Sequence, residues 1–442
     1  MVGAVRSVVV LRPTRSMNPS RISSFRLRQI LDSRGRPTVE ADVILNDGSL
    51  GRASVPSGAS TGKYEARELR DGDADCYEGY GVQSVVTNAQ QLCDGQLQGV
   101  DALDQSAVDA TLRWIDGTPN LERVGANPIL ALSLATARAA AAHTRRPLYS
   151  YLNSLVAGAS PSLPMPMTNI LSGGAHANGG MDFQDFLAVP IGATTYTQGL
   201  EWIARVRSAA AQLMAQEGRV TLLADEGGLS PSYEAAEQAL TLMVRAIEAA
   251  RLRPGQDIGI AIDVAASQLY VEDRGSYHLR RVDCELRPDE MLSYVFDLCG
   301  KYPIVSVEDP FDQDDWDPWQ SLTRKLADRP LQLVGDDLFA TNAQRLASGI
   351  EKHAANAVLI KVNQNGTLSG TLDVIALARK AGYATVVSAR SGETEDAFIA
   401  DLAVATGAGQ IKIGSVRNSE RQSKYNQLLR IEEEAALPFA RP

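Results

Sequence analysis

Six short apolar runs in the second half of the chain each end in a charged residue. IGIAID closes on Asp263, IVSVE on Glu308, LQLVGD on Asp336, AVLIK on Lys361, TVVSAR on Arg390 and GQIK on Lys412. Three carboxylates brought to one spot repel one another unless a cation lies between them. Oxygen-only ligands select a hard divalent ion, and Mg²⁺ is the natural candidate. A lysine near that ion and near Lys412 has its pKa depressed, which makes Lys361 a candidate general base. Mg²⁺ beside a lysine base suits removal of a proton next to a carboxylate, because the metal stabilises the enediolate. Arg390, with Ser388 and Ser391 on either side of Ala389-Arg390, offers a fixed guanidinium and two hydroxyls.

These residues need elements that bring them together. Successive run ends lie 45, 28, 25, 29 and 22 residues apart, most of the intervening stretches read as amphipathic helices, and VTLLADEGG (220–228) has the same form as the six runs. Strand and helix in that rhythm argue for parallel βα units closing into a barrel, whose strand C-termini face the catalytic mouth. The first part of the chain is different. TVEADVIL (38–45) alternates apolar and polar residues as a half-buried antiparallel strand does. A turn at Asn46-Asp47-Gly48, a loop VPSGASTGKYEA (55–66) and a mainly helical stretch over 86–142 follow. The expected architecture is α/β: a modified eight-stranded (β/α) barrel with an N-terminal α+β capping domain. Its expected divisions are a disordered extension at 1–21, the capping domain at 22–155, the catalytic barrel at 160–435 and a tail at 436–442.

Composition narrows the classes. The 442 residues are 44% hydrophobic, ample for a packed core, and the net charge of −10 argues against a general nucleic-acid surface. No apolar run approaches a membrane span, and four cysteines without a CxxC pair indicate neither a disulfide framework nor a zinc site. No nucleic-acid or membrane partner is expected, and a reducing cytoplasm fits.

Longer stretches carry a resemblance. ILDSRGRPTVE (30–40), VPSGASTG (55–62), PMPMTNILSGGAHANGG (164–180), DEGG (225–228), IDVAAS (262–267), SVEDPF (306–311), GDDL (335–338), LIKVNQNGTLS (359–369), RSGETED (390–396) and KYNQLLRIEEE (424–434) run in order along the chain. They resemble the enolase family, the phosphopyruvate hydratases of glycolysis. The resemblance implies that Asp263, Glu308 and Asp336 hold one Mg²⁺ and that Ser60 ligates a second, substrate-assisted one. It implies that Lys361 takes the C2 proton and that Glu226 assists loss of the C3 hydroxyl. Lys412 falls at the substrate carboxylate, Arg390 and Ser391 at the phosphate, and His176 and Gln184 on another closing loop. The implied substrate is a small phosphorylated carboxylate, and the implied assembly a homodimer or higher homo-oligomer.

Two positions depart from the family in the active site: Ala389 replaces a histidine, and Asp185 replaces the glutamate that supports Glu226. Gln268 stands where an acidic residue is usual. The first two losses fall on the elimination half of the reaction. Three functions follow: an authentic or weakened enolase; a divergent paralogue of secondary metabolism acting on a related phosphate or phosphonate, of the carboxyphosphonoenolpyruvate synthase type; or a non-catalytic binder. The intact pair Lys361 and Glu226 counts against the last. Other motifs read blandly. Lys63 in GASTGK lacks the spacing of a nucleotide-binding loop. His143, His278 and His353 read as surface or packing residues, and Asp314-Asp315 as a solvated loop.

Overall fold

The alternation over 38–45 forms the middle of a three-stranded antiparallel sheet: β1 (Ile22–Leu31), β2 (Pro37–Leu45) and β3 (Leu50–Ser54). The computed structural model describes residues 18–58 and 62–441. Most of the expected extension at 1–21 therefore lies outside the described residues. Of its last four residues, Ser20 is buried and Arg21 bridges Asp101.

Helices Gln83–Cys93 and Ala126–His143 cover the sheet, and Gln105–Asp116 packs against Ala126–His143. Helix Ala126–His143 is buried on nearly every side, and its run of alanines lets it lie close to β3. A Cβ at Gly51 would stand 2.0 Å from the Ala135 carbonyl oxygen, so only glycine admits that approach.

The remaining chain closes an eight-stranded barrel from β4 (Met165–Ser172), β5 (Asp185–Val189), β6 (Gly259–Asp263) and β10 (Ile304–Glu308), then β11 (Gln332–Gly335), β12 (Ala357–Ile360), β13 (Ala384–Ser388) and β14 (Gln410–Gly414). β7 (Tyr270–Val271), β8 (Ser276–Leu279) and β9 (Cys284–Leu286) form a separate small sheet, which with the helix Pro288–Lys301 fills the long gap between Asp263 and Glu308. The apolar interior is filled by Met165, Met167, Leu187, Val189, Ala261, Val334, Ala357, Leu359 and Val386, so the barrel is a packed core and only its mouth is free for chemistry.

Two expectations are corrected. The barrel is not wholly parallel: β5 runs antiparallel to both β4 and β6. The run VTLLADEGG contributes no strand; it is an irregular loop with Val220 70% and Leu222 64% exposed. Periodicity cannot separate an apolar loop from a short strand. Here the strand places are taken by β4 and β5 on its N-terminal side.

The two lobes are stitched at the mouth. Ser57 and Gly392 exchange backbone hydrogen bonds of 2.8 and 3.0 Å, and Arg138 pairs with Asp396 at 2.6 Å. The C-terminal segment packs too, with the Ala440 amide donating to the Leu163 carbonyl at 2.9 Å.

Candidate active site

Five strands of the mouth supply the lysine-rich end of the cavity. Asp263 and Glu308 are register partners on β6 and β10, and both carboxylates lie 2.7 Å from Lys412 Nζ. Lys412 reaches them from the middle of β14, not from its end. Asp336, just past β11, pairs with Lys361, just past β12, and accepts from Gln364 Nε2 at 2.9 Å. All three carboxylates are at most 7% exposed.

Burial raises the pKa of Glu308, Asp263 adds to the rise, and the net direction is well upward despite Lys412. Burial also works on Asp336, but Lys361 outweighs it and the net direction is down. For Lys361, burial lowers the pKa and Asp336 more than restores it, so the net is upward. The depression expected from the sequence counts Mg²⁺ beside Lys412, whereas this direction is set by the protein's own groups alone. That expectation leaves out Asp336, the nearest counter-charge.

Irregular chain builds the other end. His176, in the short turn Gly174–Ala177, places Nδ1 3.1 Å from Asp185 Oδ2 and Nε2 3.7 Å from Glu226 Oε1. Asp185 opens β5, is fully buried, and accepts from Ser172 Oγ at 2.7 Å; Glu226 accepts from Asn169 Nδ2 at 3.1 Å. Asp185 therefore meets Glu226 through the imidazole. Burial opposes charge on His176, but Glu226 and Asp185 outweigh it and its pKa is pushed up to about 9. The same imidazolium holds the Glu226 carboxyl below its ordinary range against burial, while burial keeps Asp185 above its own.

Gln184 donates to Asp263 Oδ2 at 3.2 Å, and Gln268 donates to Gln184 Oε1 at 3.0 Å. Arg390 is buried, with Nη1 2.9 Å from both Glu65 Oε2 and Asn363 Oδ1. Ser391 and Ala389 line the same cavity, and the Ala389 amide donates to the Lys412 carbonyl at 2.9 Å. Ser60 lies outside the described residues. One cavity is thus bounded by Lys361, Glu226, His176, Gln184, Asp263, Asp336, Arg390, Ser391 and Lys412; Glu308 and Asp185 stand behind it as partners of Lys412 and His176.

Several residues of the site were not singled out from sequence. Glu65, Asn169, Ser172 and Gln364 give no signal by type alone. Asp309, second acid of SVEDPF, accepts the amides of Asp336 at 2.9 Å and Asp337 at 2.7 Å and so sets the turn after β11; the doubled acids were its visible sign. The bland readings fare unevenly. His143 and His278 each meet a single carboxylate, Asp47 and Asp283. Asp314 is more than a solvated loop residue, since it accepts Tyr64 Oη at 2.8 Å and Arg345 Nη1 at 3.0 Å.

The donor set suits a hard cation. Asp263, Glu308 and Asp336 offer oxygen alone, and Glu308 Oε1 is buried with no hydrogen-bond partner among the described residues. An orphaned carboxylate oxygen among compensated ones fits Mg²⁺ better than a softer metal. Among the described residues, two groups bring one ligand atom of each member within 4.8 Å of the others: Asp309, Asp336 and Asp337, and His176, Asp185 and Glu226; Asp263, Glu308 and Asp336 do not converge so closely, since Lys412 Nζ lies between Asp263 and Glu308.

An eight-stranded barrel with carboxylates, lysines and a guanidinium at its mouth, covered by an α+β lobe, defines a class of capped-barrel acid–base enzymes. Residues 160–438 match the family model for the enolase C-terminal TIM barrel domain, and residues 22–152 match that for the enolase N-terminal domain. The chain belongs to the enolase family and is an enolase-like lyase. Among the described residues no helix is long and apolar enough to cross a membrane.

Proposed function

We propose that this lyase interconverts 2-phosphoglycerate and phosphoenolpyruvate. The observation that carries the reading is that one cavity presents an amine, Lys361, a carboxyl group, Glu226, and a buried guanidinium, Arg390.

Lys361, when neutral, removes the C2 proton, and Glu226, held ionised by His176 in the resting site, takes up a proton before it donates to the departing C3 hydroxyl. Lys412 faces the substrate carboxylate; Arg390 and Ser391 hold the phosphoryl group. Asp263, Glu308 and Asp336 would hold one Mg²⁺ and Ser60 would contribute to a second, supplying positive charge for the electron density that moves onto the carboxylate. Lys361 accepts a proton only when neutral, and Asp336 is the counter-charge that keeps it protonated. Whatever engages Asp336 therefore also sets the base. His176, held by Asp185, fixes the Glu226 carboxyl through its Nε2.

The test is phosphoenolpyruvate formation from 2-phosphoglycerate with and without Mg²⁺, followed by the absorbance of the new double bond. Metal-dependent turnover supports the reading; no turnover at any metal concentration overturns it. A specific observation favours a second reading. Ala389 gives the cavity wall beside Arg390 only a methyl group, which suits a bulkier phosphate or phosphonate substrate of a divergent paralogue. Turnover of such a substrate in preference to 2-phosphoglycerate would select it.

A further inference from the structure

Glu65 reaches the cavity from the capping lobe, and the acid–base chemistry gives it no part. Its side chain is 4% exposed, as is that of Arg390. Glu65 Oε2 accepts from Arg390 Nη1 at 2.9 Å, and Oε1 from Nη2 at 3.4 Å. Oε1 also accepts the Gly62 amide at 2.9 Å and Gln364 Nε2 at 3.4 Å. Gln364 in turn donates to Asp336 Oδ1 at 2.9 Å. One carboxylate therefore ties together the guanidinium, the backbone of the capping-lobe loop and the amide that steadies Asp336.

A guanidinium buried this deeply requires a counter-charge, and two-oxygen contact also fixes its plane. That same contact occupies the donors a phosphoryl group would use. A phosphoryl group that takes the guanidinium edge now facing Glu65 must displace Oε2 from Nη1 and Oε1 from Nη2.

We propose that Glu65 is a positioning residue that holds Arg390 ready and yields its guanidinium contacts to an incoming phosphoryl group, resetting the Gly62 amide in the same exchange. The proposal rests on the reading of Arg390 as the phosphate holder, and it adds a link from phosphate binding to the capping lobe. Binding at Arg390 weakens the hold of Oε2, the carboxylate turns, and the Gly62 contact changes with it.

Titration of inorganic phosphate by calorimetry, with a chelator present, separates the two ideas. Glu65→Gln removes the competing charge, so phosphate is expected to bind about tenfold tighter. Hydrogen exchange at Gly62 is expected to change with phosphate in the native chain and to be unresponsive in Glu65→Gln. A merely structural Glu65 gives the opposite sign, since a loosened Arg390 binds phosphate more weakly. Weaker or unchanged binding in a folded Glu65→Gln chain overturns the proposal. Arg390→Gln tests the underlying reading: native-like phosphate affinity there would remove Arg390 as the anion site whatever Glu65 does. If circular dichroism shows Glu65→Gln unfolded, Glu65→Asp carries the test. It keeps the charge but shortens its reach by a methylene, and binding about threefold tighter is expected. Unchanged or weaker binding by that variant overturns the proposal equally.

Discussion

The lysine end and the acid end of the cavity are built by different means. Asp263, Glu308 and Lys412 lie on barrel strands and are paired in register on both sides, while Asp336 and Lys361 lie one residue beyond β11 and β12. His176 and Glu226 lie on irregular chain, joined by the Asp225 amide donating to the His176 carbonyl at 3.1 Å. Their alignment depends on the pairing series Ser172, Asp185, His176, Glu226. A strand-borne group keeps its place when a neighbour changes, whereas a group held by side-chain pairing shifts with its partners. Asp185 belongs to that pairing series although it is itself a strand residue, in register with Ser172 on β4 and Asp263 on β6, so it joins the two ends.

The sharpest way to break the comparison is to remove one group from each end. Lys361→Ala should lower turnover about 10³- to 10⁴-fold and abolish exchange of the C2 proton with deuterated solvent. Glu226→Gln should lower net turnover comparably while that exchange, followed by NMR, persists. If exchange is lost in both, the ends do not act as separate steps.

Introducing the residues expected from the family resemblance tests the elimination half of the reaction. Ala389→His combined with Asp185→Glu should raise turnover of 2-phosphoglycerate by about a hundredfold if the native chain is slow, since a displacement near 1 Å costs about that much. C2 exchange should scarcely change. A double variant no faster than a slow native chain would mean that the wall at Ala389 serves another substrate.

The pairing series should also show in stability against pH. The His176 pKa is raised from 6.5 to about 9, so its contribution is fully present below about 6.5 and is lost as pH rises through about 9. With a chelator present, the native chain should lose stability on the order of 2–3 kcal/mol over that window relative to His176→Gln. Parallel melting curves for the two chains would show that the imidazole carries no shared charge.

What the sequence made legible follows the same division. Asp263, Glu308 and Asp336 were readable because a buried strand that ends in a charge has a fixed destination in a barrel. The fold class followed from the spacing of those ends. Val220 to Leu223 misled because apolar residues in an exposed loop have the same composition as a strand. β4 and β5 stayed hidden because the antiparallel return of β5 breaks the strand–helix rhythm. Glu65 was not legible at all: its partner Arg390 is 325 positions away, and nothing local to YEA announces a buried counter-ion.

Gln268 gives the smallest expected effect and the finest test of how strand-held and pairing-held groups meet. Gln184 turns its NH₂ toward Asp263 Oδ2, which accepts at 3.2 Å. The Gln184 oxygen then needs a donor, and Gln268 supplies one at 3.0 Å. An ionised glutamate at 268 could not donate. Gln268→Glu leaves Gln184 to choose between Asp263 and the new carboxylate, at the cost of about one hydrogen bond. The expected result is a Michaelis constant about fivefold higher, with the maximal rate within about twofold. Should the maximal rate fall and the Michaelis constant hold, Gln184 serves the reacting atoms and not the bound ground state, and the boundary between the two ends would have to be drawn on the other side of Asp263.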